Sequence, residues 1–273
     1  MLTHGPRQCG KTTLAQIVGQ EKGYRYYSFD NIVILDEVQK APEIFSALKM
    51  AIDRDRRPGR FILTGSVNVL CVPKLSDSLA GRMEIVPLFP LAQCEMESSK
   101  PRFLDGLFSG KFKMQGFDRL GGELIERVLK GGYPVPQKRA TWKQRRNWYR
   151  GYVETLVQRD IYDLAHLSTF DVIPKLLALV AGHTARLPNF SELAGPIELS
   201  RPTIRHYVNL LEKIFLIDFL QPWHSNQIKR LVKSPKLHIG DTGRAGALVG
   251  LNTDDLFKKQ GSLRSVVGDL CLW

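Results

Sequence analysis

The chain has 273 residues, 43% of them hydrophobic and 24% charged, with a net charge of +12. These values exclude a disordered or fibrous polypeptide and allow one large domain or two ordinary ones. Apolar runs such as LLALVA at 176–181 fall far short of the ~20 residues that span a bilayer, and the basic surplus suits an anionic partner such as nucleotide or nucleic acid.

No charged-then-apolar leader opens the chain, so neither secretion nor membrane insertion is expected, and the cytoplasm is the expected location. The four cysteines, Cys9, Cys71, Cys94 and Cys271, are scattered and form no CxxC pair. That suits a reducing compartment and argues against a zinc site.

Residues 5–14 read GPRQCGKTTL, in which Gly5, Gly10, Lys11 and Thr12 satisfy the pattern G-x-x-x-x-G-K-[ST]. In such a loop the glycines let successive N–H groups converge on the β-phosphate. Lys11 would reach the β- and γ-phosphates, and the Thr12 hydroxyl would ligate Mg²⁺. The whole run Gly5, Pro6, Arg7, Gln8, Cys9, Gly10, Lys11, Thr12 and Thr13 is the candidate ATP-binding segment. Apolar residues at 14, 17 and 18 have helical spacing, and the positive end of that helix would face the phosphates. Only Leu2 is left to serve as the buried strand before the loop, so that strand is expected to be missing.

The stretch YRYYSFD (24–30) alternates as a strand does, yet another strand begins at Ile32. Parallel neighbours need a crossover of a dozen or more residues, so one crossover is also expected to be missing. The segment IVILDEVQ (32–39) opens with four apolar residues, the pattern of a strand buried on both faces. It ends in Asp36-Glu37, at the strand end where ligands bind in open α/β sheets. Asp36 can hold Mg²⁺ through a water, and Glu37 can orient and polarise the attacking water.

RFILTGS (60–66) is a further strand, ending near Thr64, Ser66 and Asn68, polar groups able to contact the γ-phosphate or the lytic water. In LSDSLAGRMEIVPLFPL (75–91), Arg82 precedes another apolar strand. Arg82 can act on the γ-phosphate of its own or a neighbouring subunit, or form a surface ion pair. Arg56, Arg57 and Arg60 compete for the same role.

Together these segments resemble the prokaryotic AAA-type ATPases of the archaeal-ATPase-like group. There a P-loop domain precedes a winged helix and a nuclease-like C-terminal domain of unknown role. The resemblance runs from about residue 1 to about residue 250. It implies Lys11 and Thr12 as nucleotide and Mg²⁺ residues, Asp36-Glu37 as the acidic pair and Ser66 as the sensor-like position. The family has a small apolar residue where this chain has Cys9, and a thiol beside a helix N-terminus is expected to have a lowered pKa. The family also has an apolar strand before the loop and a helical segment between the 24–30 and 32–39 strands. Beyond residue 252 the chain departs from its relatives and ends in GSLRSVVGDLCLW, so truncation is expected and no nuclease activity.

From 96 to 165 the pattern is helical and rich in aromatics, and the resemblance implies a lid over the nucleotide. Lys143, Arg145, Arg146 and Arg150 form a basic face, read as solvated, with Trp142 and Trp148 packing, or else as a phosphate contact. Arg159-Asp160 is a candidate interdomain ion pair. Residues 186–220 look like a winged helix-turn-helix. Ser191 and Ser200 are expected caps, Pro202 lies in a first turn, and Ile204, Val208 and Leu211 form a buried stripe that leaves Arg201, Arg205 and His206 outward. FLIDFL and KRLVKSPKLHI are the expected wing strands.

The expected fold is therefore α/β, with an AAA-like P-loop parallel sheet over residues 1–95 and a helical lid over 96–165. A winged helix over 166–240 and a C-terminal remnant over 241–273 complete it. The expected function is a Mg-dependent AAA-type ATPase using nucleotide as a conformational switch, with Glu37, Ser66 and Arg82 catalytic and Thr12 and Asp36 on the metal. The alternatives are a nucleotide- or DNA-binding regulator with little or no turnover, and an inactive degenerate fragment. The expected partner is ATP; a protein or second copy docking through the lid and winged helix, or DNA, is the open alternative for those regions, and no membrane is expected.

Overall fold

A computed structural model describes residues 2–21, 33–66, 79–100, 103–111, 121–161 and 171–251. The YRYYSFD strand, Asn68 and the tail from residue 252 fall outside these residues, as does the Asp160 side chain of the expected ion pair with Arg159. The chain divides into two compact units, Met1–Pro90 with Asn209–Leu216, and Leu91–Val208 with Ile217–Trp273. The division falls at none of the interior boundaries expected from the sequence.

The first unit is built on four parallel strands, β1 (Leu2–His4), β2 (Val33–Leu35), β3 (Phe61–Gly65) and β4 (Ile85–Pro87), in the order β2-β3-β1-β4. The strand expected to be missing is therefore present. Three residues suffice because β1 is paired on both sides, with Leu2 opposite Leu63 on one flank and Ile85 on the other. Leu2 and Thr3 are buried, and the Leu2 amide is bonded to Glu84 O at 2.8 Å. Neither strand partner is near in sequence, so the strand exists only once the sheet has assembled.

β2 departs from the expectation in the other direction. It is the edge strand of the described sheet and leaves Val33 exposed, so it is not buried on both faces. Helix α1 (Lys11–Glu21) follows the loop after β1, and α2 (Ile44–Arg54) carries the crossover from β2 to β3. Phe45 and Leu48 of α2 pack with Leu2, Val38, Leu63 and Leu79 into a continuous apolar core. Burying each such side chain contributes about 1.5–3 kcal/mol.

The second unit is mainly helical. After the short α3 (Gln93–Met96) and α4 (Phe103–Ser109), α5 (Gly122–Lys130) buries Ile125, Val128 and Leu129, an i, i+3, i+4 stripe. A one-turn helix, α6 (Pro134–Gln137), then leads to α7 (Trp142–Leu156). Thr141 and Gln144 begin α7 with a reciprocal capping pair at 3.3 Å each way. Further on come α8 (Val172–Gly182), α9 (Phe190–Ala194) and α10 (Arg201–Lys213), whose residues from Asn209 on belong to the first unit. The antiparallel strands β5 (Asp218–Leu220) and β6 (Lys236–His238) follow, and Arg186 makes a bridge to Leu237.

Several local expectations change here. Asn189, not Ser191, caps α9, accepting from the Ser191 and Glu192 amides at 3.2 and 3.4 Å. Ser200 does cap α10, its hydroxyl accepting from the Thr203 amide at 3.3 Å. The KRLV part of the expected wing strand is instead helix α11 (Gln227–Val232), and only Lys236–His238 is strand.

The basic face of α7 is likewise not a plain solvated surface. Arg145 is buried, with its Nη1 on Glu126 Oε1 at 2.5 Å and its Nε on Arg139 O at 3.0 Å. Trp148 stacks on Tyr152 with ring centroids 5.1 Å apart.

The segment expected as a C-terminal remnant contributes α12 (Thr242–Leu248), which is buried and packs on α5, α7 and α8. At its start the Asp241 carboxylate accepts from the Arg244 and Gly132 amides, both at 2.7 Å. Burial pushes the Asp241 carboxyl up, against the pull of the Arg244 charge and of those two amides. Arg244 itself is almost fully buried and donates to Tyr133 Oη at 3.0 Å.

Candidate functional site

Because all four strands of the first unit are parallel, the residues following them gather at one edge of the sheet. The loop after β1, Asp36-Glu37 after β2, and Ser66 after β3 share that edge. Brought together there from the expected set are Gly5–Thr13, Asp36, Glu37 and Ser66.

The loop needs its glycines for two different reasons. Gly5 has φ +152°, and an added Cβ would lie 1.9 Å from Leu88 O. That carbonyl cannot easily withdraw, because the Leu88 amide is bonded to His4 O at 2.7 Å. Gly10 has φ +98° with nothing within 4 Å of where a Cβ would stand, so its requirement is conformational alone. Gln8, with φ 59°, adds a left-handed residue between them. Pro6 is buried, Arg7 half-buried, and Thr12 and Thr13 are exposed at the start of α1.

Lys11 is buried, and its ammonium lies across the loop, donating to Gly5 O at 3.1 Å and Pro6 O at 2.8 Å. Burial lowers its pKa, while the Cys9 thiol and the carboxylates of Glu37 and Asp36 pull the other way. The same burial, joined by the Lys11 charge, lowers the pKa of His4 just before the loop. Cys9 contradicts the expectation of an acidic thiol. It is packed with Sγ 3.4 Å from Leu88 O, and burial pushes its pKa up, outweighing the Lys11 charge.

Thr12 Oγ1 donates to the Asp36 carboxylate, 3.1 Å from each oxygen. Thr64 also donates to Asp36 Oδ1 and accepts from the Glu37 amide at 3.3 Å. Thr12 and Asp36 thus offer hard oxygen donors at one point, a set that suits Mg²⁺, which takes one or two protein ligands beside phosphate and water. Among the described residues no group of three or more His, Cys, Asp or Glu could hold a metal by itself, and Mg²⁺ on a nucleotide does not require one.

Glu37 adopts a left-handed conformation, φ 54° and ψ 46°, which turns the chain sharply after β2. Its Oε2 accepts from Ser66 Oγ at 2.9 Å and from Gln39 Nε2 at 2.5 Å. Gln39 was not singled out in the sequence. Its only sequence signal is its place two residues after the acidic pair, and that does not reveal where its side chain goes.

Arg82 is not brought to this edge. It precedes β4, at the opposite edge of the parallel sheet, and pairs with Asp53 at 2.9 Å. Arg82 thus lies across the sheet from the loop, and its place gives no support to a role on the phosphates of its own chain. The competing arginines share its location. Arg57 and Arg60 precede β3 and pair with Asp55 at 2.7 and 3.4 Å, and Arg56, Arg57, Arg60 and Arg82 line a cavity of about 440 Å³ there.

Residues 22–97 match the family profile described as AAA domain, and residues 121–255 match a domain of unknown function, DUF8612. An uncharacterised protein of Mycobacterium bovis and one of Mycobacterium tuberculosis are each 28% identical in an alignment of 271 positions that covers 92% of this chain. The chain spans about half, 56%, of the length of these relatives. A solved structure of the Aeropyrum pernix ORC1 protein in complex with DNA aligns over 95% of this chain and 87% of that one. Its sequence identity is 14% and its TM-score 0.25, too low for the likeness to bear on fold or ligand. The match to an AAA domain covers residues 22–97, from after the Gly5–Thr13 loop through the acidic pair to β4, and the parallel α/β sheet agrees with it. No helix among the described residues is long and apolar enough to cross a membrane.

Proposed function

We propose that this chain binds ATP on the loop from Gly5 to Thr13 and hydrolyses it, using the nucleotide as a conformational switch. The observation that carries this reading is convergence. Lys11, Thr12, Asp36, Glu37 and Ser66 come from the ends of three different strands and meet through bonds such as Thr12 to Asp36 at 3.1 Å and Ser66 to Glu37 at 2.9 Å.

In this reading the loop amides and Lys11 seat the β- and γ-phosphates. Thr12 and Asp36 would hold Mg²⁺, which when bound would neutralise charge on the phosphate oxygens. Glu37 orients the water and takes its proton, and Ser66 holds Glu37 and the γ-phosphate side of the site in register. Arg82, if it acts on a nucleotide, acts on that of a neighbouring subunit.

Thermal unfolding with and without Mg·ATP tests the binding step. At ATP about 100-fold above Kd, binding stabilises the protein by about 2.7 kcal/mol. Lys11→Ala is expected to abolish that gain. Glu37→Gln is expected to keep it while ending phosphate release. No melting shift in the unaltered protein would overturn the reading. A shift with no phosphate release would leave the nucleotide-binding regulator as the function.

A second reading takes the segment from α8 to β6 as a winged helix, which its succession of helices and a two-stranded hairpin supports. Ile204, Val208 and Leu211 of α10 are buried while Arg201, Arg205 and His206 face outward. The β5–β6 connection exposes Trp223 together with Lys229, Arg230, Lys233 and the adjoining Lys236. Cations interleaved with an aromatic suit DNA phosphates, and Ile228 and Leu231, exposed at 74% and 86%, suit a protein partner. Affinity for duplex DNA that falls steeply with added salt supports the first, and salt-independent binding or none supports the second.

A further inference from the structure

Gln39 lies in the 3-10 turn Val38–Lys40 that follows the acidic pair. Its Nε2 donates to Glu37 Oε2 at 2.5 Å and to Ser66 Oγ at 3.1 Å, and Ser66 Oγ donates to Glu37 Oε2 at 2.9 Å. The three side chains close a triangle. The amide orientation is forced, because an ionised carboxylate only accepts and the NH₂ end must face it.

The other end of the amide is informative. Gln39 Oε1 is buried and has no hydrogen-bond partner among the described residues. A glutamine placed for local structure would bind main chain with one end or the other. Both bonds of this one go to Glu37 and Ser66, and its carbonyl is left buried without a donor, an arrangement that costs stability. Glu37 gains a fixed direction from it. A carboxylate on a left-handed residue at a strand end has several open rotamers, and two donors on one oxygen select among them.

We propose that Gln39 is a positioning residue, which with Ser66 fixes the direction of the Glu37 carboxylate toward the water it is to activate. The proposal rests on the hydrolase reading above and assigns Gln39 no contact with ATP or the metal. Its effect is on kcat, because a misdirected base costs rate and leaves nucleotide binding intact.

The test begins with the unaltered full chain, measured for Mg·ATP-induced melting shift and for phosphate release. Gln39→Ala is expected to lower kcat by about 10- to 100-fold, the scale of a small misplacement of a catalytic group. KM and the ATP-induced melting shift should stay within about twofold of the unaltered protein.

A second arm needs no nucleotide. Gln39→Glu sets two carboxylates against each other and should lower the melting temperature of the free protein below that of Gln39→Ala. The exchanged pair Glu37→Gln with Gln39→Glu re-forms an amide–carboxylate contact and should recover it. If the unaltered chain hydrolyses ATP and Gln39→Ala keeps its kcat within twofold, the positioning role falls and the hydrolase reading stands. If the exchanged pair melts no higher than Gln39→Glu, the triangle is refuted. If the unaltered chain releases no phosphate, both readings fall together.

Discussion

Replacing Gly5 by alanine tests whether the closeness of the loop to Leu88 is what demands glycine there. Two costs arise, and a second site separates them. At Gly10, φ +98° with open space around the Cβ position, alanine bears only conformational strain of about 1–2 kcal/mol. At Gly5 a comparable strain at φ +152° is joined by a Cβ placed 1.9 Å from Leu88 O. That carbonyl must move by more than about 1 Å to reach ordinary contact while its own amide is tied to His4 O at 2.7 Å, and forced overpacking of this kind costs about 1–3 kcal/mol more. The expected total is about 2–5 kcal/mol, or exchange of the Leu88 amide faster by roughly 30-fold to a few thousandfold at tenfold per 1.4 kcal/mol. Hydrogen–deuterium exchange of that amide, compared between Gly5→Ala and Gly10→Ala, reads the difference directly. Equal acceleration in the two variants would refute the reasoning, because the Leu88 carbonyl would then add nothing to the conformational demand for glycine at position 5.

Other expectations follow from the two units. Arg244→Met removes a buried guanidinium that donates to Tyr133 Oη and Ile239 O and whose charge acts on the Asp241 carboxyl, an expected loss of about 3 kcal/mol. Adding Asp241→Asn should return part of it, with a coupling of about 1–3 kcal/mol in urea unfolding, and strictly additive losses would show that the Arg244 charge does not act on Asp241. Asp55 is held at about 2, first by hydrogen bonds from the Arg57 side chain and amide. Its folded value lies below the unfolded one, so its contribution is present above about pH 4 and lost as pH falls toward 2. Asp55→Asn should remove that part of the acid limb in thermal melts, with a smaller effect at high salt because the pair is exposed. An acid limb unchanged by the substitution would place Asp55 outside the pair.

Much of the candidate site was legible because its signals are local. The spacing of Gly5, Gly10, Lys11 and Thr12, and an apolar run ending in Asp36-Glu37, are written within a few residues and need no partner to be recognised. The apolar stripe of α10 was legible for the same reason, since Ile204, Val208 and Leu211 follow the helical repeat.

What the chain could not announce depends on residues far apart in sequence. Leu2–His4 is a strand because β3 and β4 close on it from both sides. Cys9 is a buried and weakly acidic thiol because Leu88 lies over it, although its place beside a helix start argued the reverse. Arg82 stands at the opposite edge of the four-stranded sheet because all its strands are parallel, a property of assembled strands and of no single segment. Gln39 reaches Glu37 and Ser66 only after β2 and β3 have paired. Local spacing named the chemical groups available for a phosphate. Strand direction and burial, which exist only in the folded unit, decided which of them meet.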